Sequence, residues 1–260
     1  MNQAPSPAFE ATLVTLLGLL IGSFMNVCIY RLPRQLSPVR PRSGCPKCGH
    51  MLTWYENIPV ISYLVLKGKC RSCGTFISPM YPIIESITGA MFLAGYLWYG
   101  PSALMIVRLL FGCAMIVLFV IDLQHKILPN VITLPGIVVG FLLSEVTGLG
   151  WVSSLIGIAV GAGSLFTIAE IYYRVRHEEG LGMGDVKMLG MIGAFLGWKL
   201  VLVTLVLSSV AGSIVGVAVV VAKKGSLKYA LPFGTFLAVA AMVAAVAGDS
   251  MLAWYLQFYQ

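Results

Sequence analysis

Residues 102–125 read SALMIVRLLFGCAMIVLFVIDLQH. The first twenty carry one ionisable side chain, Arg108, and the run ends on Asp122. Roughly 20 apolar residues of helix cross the hydrocarbon core of a bilayer, so this stretch predicts a transmembrane helix that closes on a carboxylate. The rest of the chain has the same character. Over 260 residues it is 58% hydrophobic and 10% charged, with a mean hydropathy of +0.91, whereas soluble domains carry about a quarter charged residues. Further apolar segments are expected at 9–30, 81–99, 131–146, 151–173, 186–197, 200–221 and 230–254. The predicted fold is an all-α polytopic membrane protein of about eight transmembrane helices. Its parts are a first helix (1–30), a polar loop (31–80) and a membrane domain (81–260). No Lys or Arg precedes Arg31, so the basic n-region of a cleavable signal peptide is missing.

The net charge of +7 fits a membrane protein better than a nucleic-acid binder. The 31–80 loop holds Arg31, Arg34, Arg40, Arg42, Lys47, Lys67, Lys69 and Arg71. Alternation puts Lys126, Arg174, Arg176, Lys187, Lys223, Lys224 and Lys228 on the same side, leaving only Lys199 opposite and Arg108 within a span. Basic residues gather on the cytoplasmic side, so the loop is predicted to be cytoplasmic and both termini extracytoplasmic. Trp98, Trp151, Trp198 and Trp254 fall at the other ends of the spans, where aromatic belts form.

The chain contains three aspartates, Asp122, Asp185 and Asp249. Asp249 reads as a headgroup-level carboxylate. Asp122 ends the third span, and Asp185 opens the sixth within GMGDVK (182–187), so the alternation places both at one depth on the cytoplasmic side. Ionisable groups at membrane depth mark function by default. Two carboxylates in a partly dry site resist ionising together and share a proton. That state suits peptide hydrolysis, one carboxylate activating water while its partner donates to the carbonyl. Gly182 and Gly184 would let a backbone approach closely. The plainer alternatives are an N-cap for Asp185 and an interfacial carboxylate beside Lys126 for Asp122. Glu85 and Glu170 are candidates for polar contacts inside the bundle.

Within the loop lie Cys45-Pro46-Lys47-Cys48-Gly49 and Cys70-Arg71-Ser72-Cys73-Gly74. Two Cys-x₂-Cys pairs at this separation match a tetrathiolate zinc site, and four protein ligands leave no open position for catalysis. Cytosolic thiols stay reduced, which disfavours a pair of disulfides. His50 is a spare ligand candidate, while Cys28 and Cys113 lie in spans as small hydrophobes.

Several stretches together resemble the type IV prepilin peptidases. They are GSFMNVCIYRLP (22–33), both cysteine pairs, WYENIPV (54–60), Asp122 with Leu128-Pro129, GMGDVK (182–187) and Pro232-Phe233-Gly234. The resemblance implies an enzyme of the bacterial inner membrane that cuts the basic leader from prepilins or pseudopilins after a glycine. It implies Asp122 and Asp185 as the catalytic pair and, in many members, N-methylation of the new terminus with S-adenosylmethionine. The cysteine-bearing loop is the region associated with that second activity. Met80 stands where the family usually has arginine, and Thr235 where proline usually follows Pro-Phe-Gly. Rival readings are a presenilin-like protease, whose Pro-Ala-Leu motif is absent, and a transporter relaying protons through the two aspartates. A membrane scaffold with a zinc loop would leave the aspartates unexplained.

Overall fold

The computed structural model describes residues 6–178, 180–222 and 231–258. The expected Lys223, Lys224 and Lys228 cluster and the start of the last span at Ala230 lie outside the described residues. Among the described residues eight α-helices form: α1 (Pro7–Arg31), α2 (Ile61–Val65), α3 (Met80–Tyr99), α4 (Ala103–His125), α5 (Asn130–Leu142), α6 (Trp151–Arg176), α7 (Met183–Ala222) and α8 (Phe233–Gln257). Among the described residues the only β pairing is two isolated bridges, Gly44–Met51 and Lys69–Phe76. Five helices (α1, α4, α6, α7 and α8) are long and apolar enough to cross a membrane. The chain divides into two compact units, Met1–Cys113 and Ala114–Gln260, with the boundary inside α4.

In the first unit α1 packs on α3 through small residues. A methyl on Gly18 would lie 2.7 Å from Phe92 Cβ, and one on Gly22 would lie 2.8 Å from Glu85 Cα. Glycines let helix backbones approach in lipid, where no hydrophobic force drives them together. Phe92, Met105 and Leu109 form a buried core with Val14, Ile21 and Cys113 around it. The opposite side of α1 exposes Phe9, Leu13, Leu16, Leu20 and Phe24, as a lipid-facing surface does.

In the second unit α7 is the centre. Met188, Leu189, Met191, Ile192 and Ala194 are fully buried, and a helix apolar on every side belongs inside a bundle. Its 40 residues are broken at Gly197, whose φ of 77° and ψ of 175° are not helical. A methyl on Gly161 of α6 would lie 2.5 Å from the Leu189 carbonyl and 3.0 Å from Val201 Cγ2. Twelve residues of straight helix would part those two by about 18 Å, so the chain doubles back at Gly197. The expected sixth and seventh segments are therefore the two arms of one hairpin.

All eight apolar segments of the sequence are thus helical. The fourth is shorter than expected: α5 ends at Leu142, and the backbone turns through Ser144 to Gly150 with Ser144 Oγ bonded to the Phe141 carbonyl at 2.7 Å. Trp98, Trp151, Trp198 and Trp254 are all exposed, each near a helix end or the Gly197 break.

Candidate active site and metal centre

Asp122 lies in the last turn of α4 and is only 4% exposed. The helix closes on Lys126, whose φ is 56° and whose N–H donates to the Asp122 carbonyl at 2.8 Å. From there Leu128 and Pro129 lead directly into α5. The Asp122 side chain is fixed from α8: Oδ2 accepts the Thr235 N–H at 2.7 Å and the Thr235 hydroxyl at 3.0 Å. The first N–H groups of a helix lack internal partners, and Pro232, at the N-cap of α8, offers no side-chain bond. Asp122 supplies the anion that this helix start lacks.

Asp185 lies in the first turn of α7 and is half-buried. It is not the N-cap. Asp185 is the third helical residue and donates its N–H to the Gly182 carbonyl at 3.1 Å, while its carboxylate takes a hydrogen bond from the Gly182 backbone. The α4–α5 turn joins the two aspartates. A methyl on Gly184 would lie 3.0 Å from Leu128 Cβ, and one on Gly234 would lie 2.9 Å from Leu128 Cδ1 and 3.0 Å from Asp122 Oδ2. A methyl at either position would crowd these groups. The result brings Asp122 and Asp185 within electrostatic reach of one another. Lys187 Nζ donates to Asn130 Oδ1 at 2.9 Å, tying the first turns of α7 and α5 together. The sequence identified both aspartates but not the donors on Thr235, which lies 113 residues from Asp122.

The four loop cysteines converge as their spacing predicts. All four Sγ atoms lie within 4.8 Å of one another, with Cys45–Cys73 at 3.8 Å and Cys48–Cys70 at 3.9 Å. A tetrahedron of thiolates at about 2.3 Å from zinc has edges of about 3.8 Å, so the donor set fits that ion. The two halves are built alike. Cys45 N–H bonds to the His50 carbonyl and Gly49 N–H to the Cys45 carbonyl, each at 2.9 Å; Cys70 N–H bonds to the Thr75 carbonyl at 2.8 Å and Gly74 N–H to the Cys70 carbonyl at 2.9 Å. Gly49 and Gly74 take φ of 72° and 70°, which only glycine adopts freely. Backbone N–H groups of Cys48 and Lys47 hold the Cys45 thiol below its ordinary value. The Thr75 hydroxyl, with its backbone, lowers Cys73 to about 6. Both effects favour the thiolate, the form that binds metal, whereas at Cys48 the His50 N–H is outweighed by burial and the neighbouring thiols, which push that thiol up to about 11.

His50 is not a fifth donor. Its Nε2 lies 3.2 Å from Glu56 Oε2, and Glu56 also accepts the Thr53 N–H at 2.8 Å and hydroxyl at 2.7 Å. The Thr53 groups, then His50, hold the Glu56 carboxyl down at about 2. The carboxylate therefore anchors the first cysteine pair to the turn that follows it.

Beside this centre, within the first unit, is a cavity of about 410 Å³ lined among others by Asn26, Tyr30, Tyr63, Arg71, Tyr81 and Glu85. Glu85 is buried and accepts the Val60 N–H at 2.8 Å. Val60 has a φ of 61°, unusual for a β-branched residue. Glu85 thus makes the polar contact expected of it, whereas Glu170 does not enter the bundle. It pairs with Arg174 on its own helix at 2.7 Å, the Arg174 side chain exposed and that of Glu170 partly so.

Comparisons with known proteins follow the same division. Residues 16–99 match the family model described as Bacterial Peptidase A24 N-terminal domain, and residues 109–217 match the one described as Type IV leader peptidase family. A prepilin leader peptidase/N-methyltransferase of Pseudomonas putida is 37% identical over 279 residues, covering 98% of this chain and 96% of the relative. Its namesake from Pseudomonas aeruginosa is 37% identical over 270 residues, covering 94% and 92%. One from Aeromonas hydrophila is 35% identical over 277 residues, covering 96% and 95%. No solved structure matches the chain.

Proposed function

Since the chain belongs to the type IV leader peptidase family, we propose that it is a multi-pass membrane endopeptidase that removes the leader from prepilins or pseudopilins after a glycine and then N-methylates the new terminus. The observation that supports the peptidase reading best is the meeting of Asp122 and Asp185 around Leu128, with glycine on either side of it. In this reading the ionised aspartate takes a proton from water as the water attacks the scissile carbonyl. The protonated aspartate donates to the carbonyl oxygen and then helps the amine leave. No covalent intermediate is required.

Location follows from charge. Basic residues in the 31–80 loop and at the ends of α4 and α6 support a site at the cytoplasmic face of the inner membrane, with both termini outside. A prepilin that keeps its apolar helix in lipid and its basic leader in the cytoplasm would present the scissile bond at that depth. We assign residues 31–80 as the cytoplasmic metal-binding loop and 81–260 as the protease domain. Cys45, Cys48, Cys70 and Cys73 would hold zinc in a structural role, since four protein ligands would leave it no open position.

The cavity of the first unit is our candidate for S-adenosylmethionine. That group supplies a methyl cation equivalent to the freed amine. The buried Glu85 carboxylate offers charge complementarity to its sulfonium or ammonium, and Tyr30, Tyr63 and Tyr81 offer faces for the adenine.

The test uses wild-type enzyme in membranes with a prepilin and S-adenosylmethionine, followed by mass spectrometry. The expected product lacks its leader, begins after the glycine and carries one added methyl. An uncut substrate overturns the peptidase reading, and a cut but unmethylated product overturns the second activity. Metal analysis is a separate check. Purified protein should hold one zinc per chain, and Cys73→Ser should lose it and leave the loop open to protease. A metal-free protein with Cys45–Cys48 and Cys70–Cys73 disulfides would overturn the zinc assignment.

A further inference from the structure

Among the described residues Thr235 is the one that binds the Asp122 side chain with two donors. We propose that Thr235 is a positioning residue for the peptidase: it holds Asp122 as the ionised base of the pair and thereby leaves Asp185 to carry the proton. The inference rests on the reading of these aspartates as the catalytic pair.

Three observations carry it. Both bonds fall on one oxygen, Oδ2, at 2.7 and 3.0 Å, which leaves the other oxygen of the carboxylate to serve the water. Both donors sit in the first turn of α8, where the helix start itself favours an anion. Among the described residues Asp185 has one such donor, the Gly182 backbone, against the two on Asp122. Its carboxyl faces the exposed Gly182, where a methyl would lie 3.5 Å from Oδ2. Donors aimed at a carboxylate favour its charged form, so the asymmetry sorts the pair into base and acid. Among the charges around Asp122, Lys126 favours its anion as the donors do, so the share of Thr235 is read from its own variants. Lys126 follows α4 and acts on Asp122. Asp185 and Lys187 come from α7, the latter bonded to Asn130. The first turns of α5 and α8 contribute no charged side chain.

Three substitutions separate the two bonds. Thr235→Ser keeps N–H and hydroxyl, Thr235→Val keeps only the N–H, and Thr235→Pro removes both. The measurement is the pH dependence of kcat and KM for leader cleavage by purified enzyme in nanodiscs with a synthetic prepilin. Removing a donor makes the base hold its proton more tightly, so a higher pH is needed to free it. The acid limb of the kcat profile should move upward by about one pH unit for Thr235→Val and about two for Thr235→Pro, from the typical worth of a hydrogen bond to a charged group. KM should change little, and Thr235→Ser should restore the wild-type profile. A uniform loss at every pH, or an unmoved limb in Thr235→Val, overturns the proposal. If Thr235→Pro does not insert, Thr235→Val alone decides. Asp122→Asn is measured alongside. Should that variant still cleave, the catalytic pair itself falls; should it be inert while the limb stays fixed in Thr235→Val, only the role of Thr235 falls.

Discussion

Asp122→Asn and Asp185→Asn should each lower leader cleavage by about 10³-fold or more while leaving the protein inserted and folded. An acid–base group contributes roughly 10²–10⁴-fold, and here one proton must pass between two groups that both depend on it. Asparagine is nearly isosteric with aspartate, so the packing around Leu128 survives. At position 122 the amide oxygen can still accept from the Thr235 N–H and hydroxyl, which keeps the start of α8 capped. At position 185 the backbone bond to Gly182 is untouched. The loss is then chemical rather than structural, and size-exclusion profiles of the purified variants should match wild type. Groups that act as a unit are not additive, so the double variant should be no worse than either single one. A variant that keeps more than about a tenth of the wild-type rate would show that its aspartate is dispensable, and a proton relay or a helix cap would explain the residue better.

What the sequence disclosed follows from the range of the forces involved. Lipid makes hydropathy a local signal, and so all eight apolar segments were readable one by one. The break at Gly197 was readable as a boundary between two segments, while the hairpin it creates was not: the reversal is enforced by Gly161 packing on both arms at once. Cysteine spacing is likewise local, and the convergence of the four thiols followed from it together with the glycines that turn each pair. Asp122 and Asp185 were found because charge is scarce in such a chain. What each carboxylate touches depends on tertiary packing. For Asp185 a helix cap was the plainer alternative, and the structure makes it the third residue of α7 with its carboxylate bonded to the Gly182 backbone. The bonds from Thr235 cross 113 residues, and the only local hint was a threonine in a proline's usual place. The cavity around Glu85 draws on α1, the loop and α3 together, so no window of sequence contains it.

The second large effect is expected at the crossing of α6 and α7. A methyl on Gly157 would fall on the Gly193 carbonyl oxygen, and one on Gly193 would fall on the Gly157 carbonyl oxygen. The obstacle in each direction is backbone, so no change of rotamer relieves it. Gly157→Val or Gly193→Val must push the helices apart, and with them the buried run Met188, Leu189, Met191 and Ile192. Overpacking of a core usually costs about 1–3 kcal/mol. With both neighbours rigid, the cost here should exceed about 3 kcal/mol, more than a hundredfold in the folded population. Gly163 provides the contrast, since it lies on the same helix and a methyl there meets nothing within 4 Å. Gly163→Ala should therefore be as stable as wild type in thermal unfolding followed by size exclusion. Equal stability of Gly157→Val and Gly163→Ala would contradict the close crossing. The effect reaches catalysis as well, because Asp185 stands on the first turn of the arm that Gly193 anchors. A wedge at Gly193 displaces that arm from the α4–α5 turn, and cleavage should be lost even in whatever fraction of the protein still inserts.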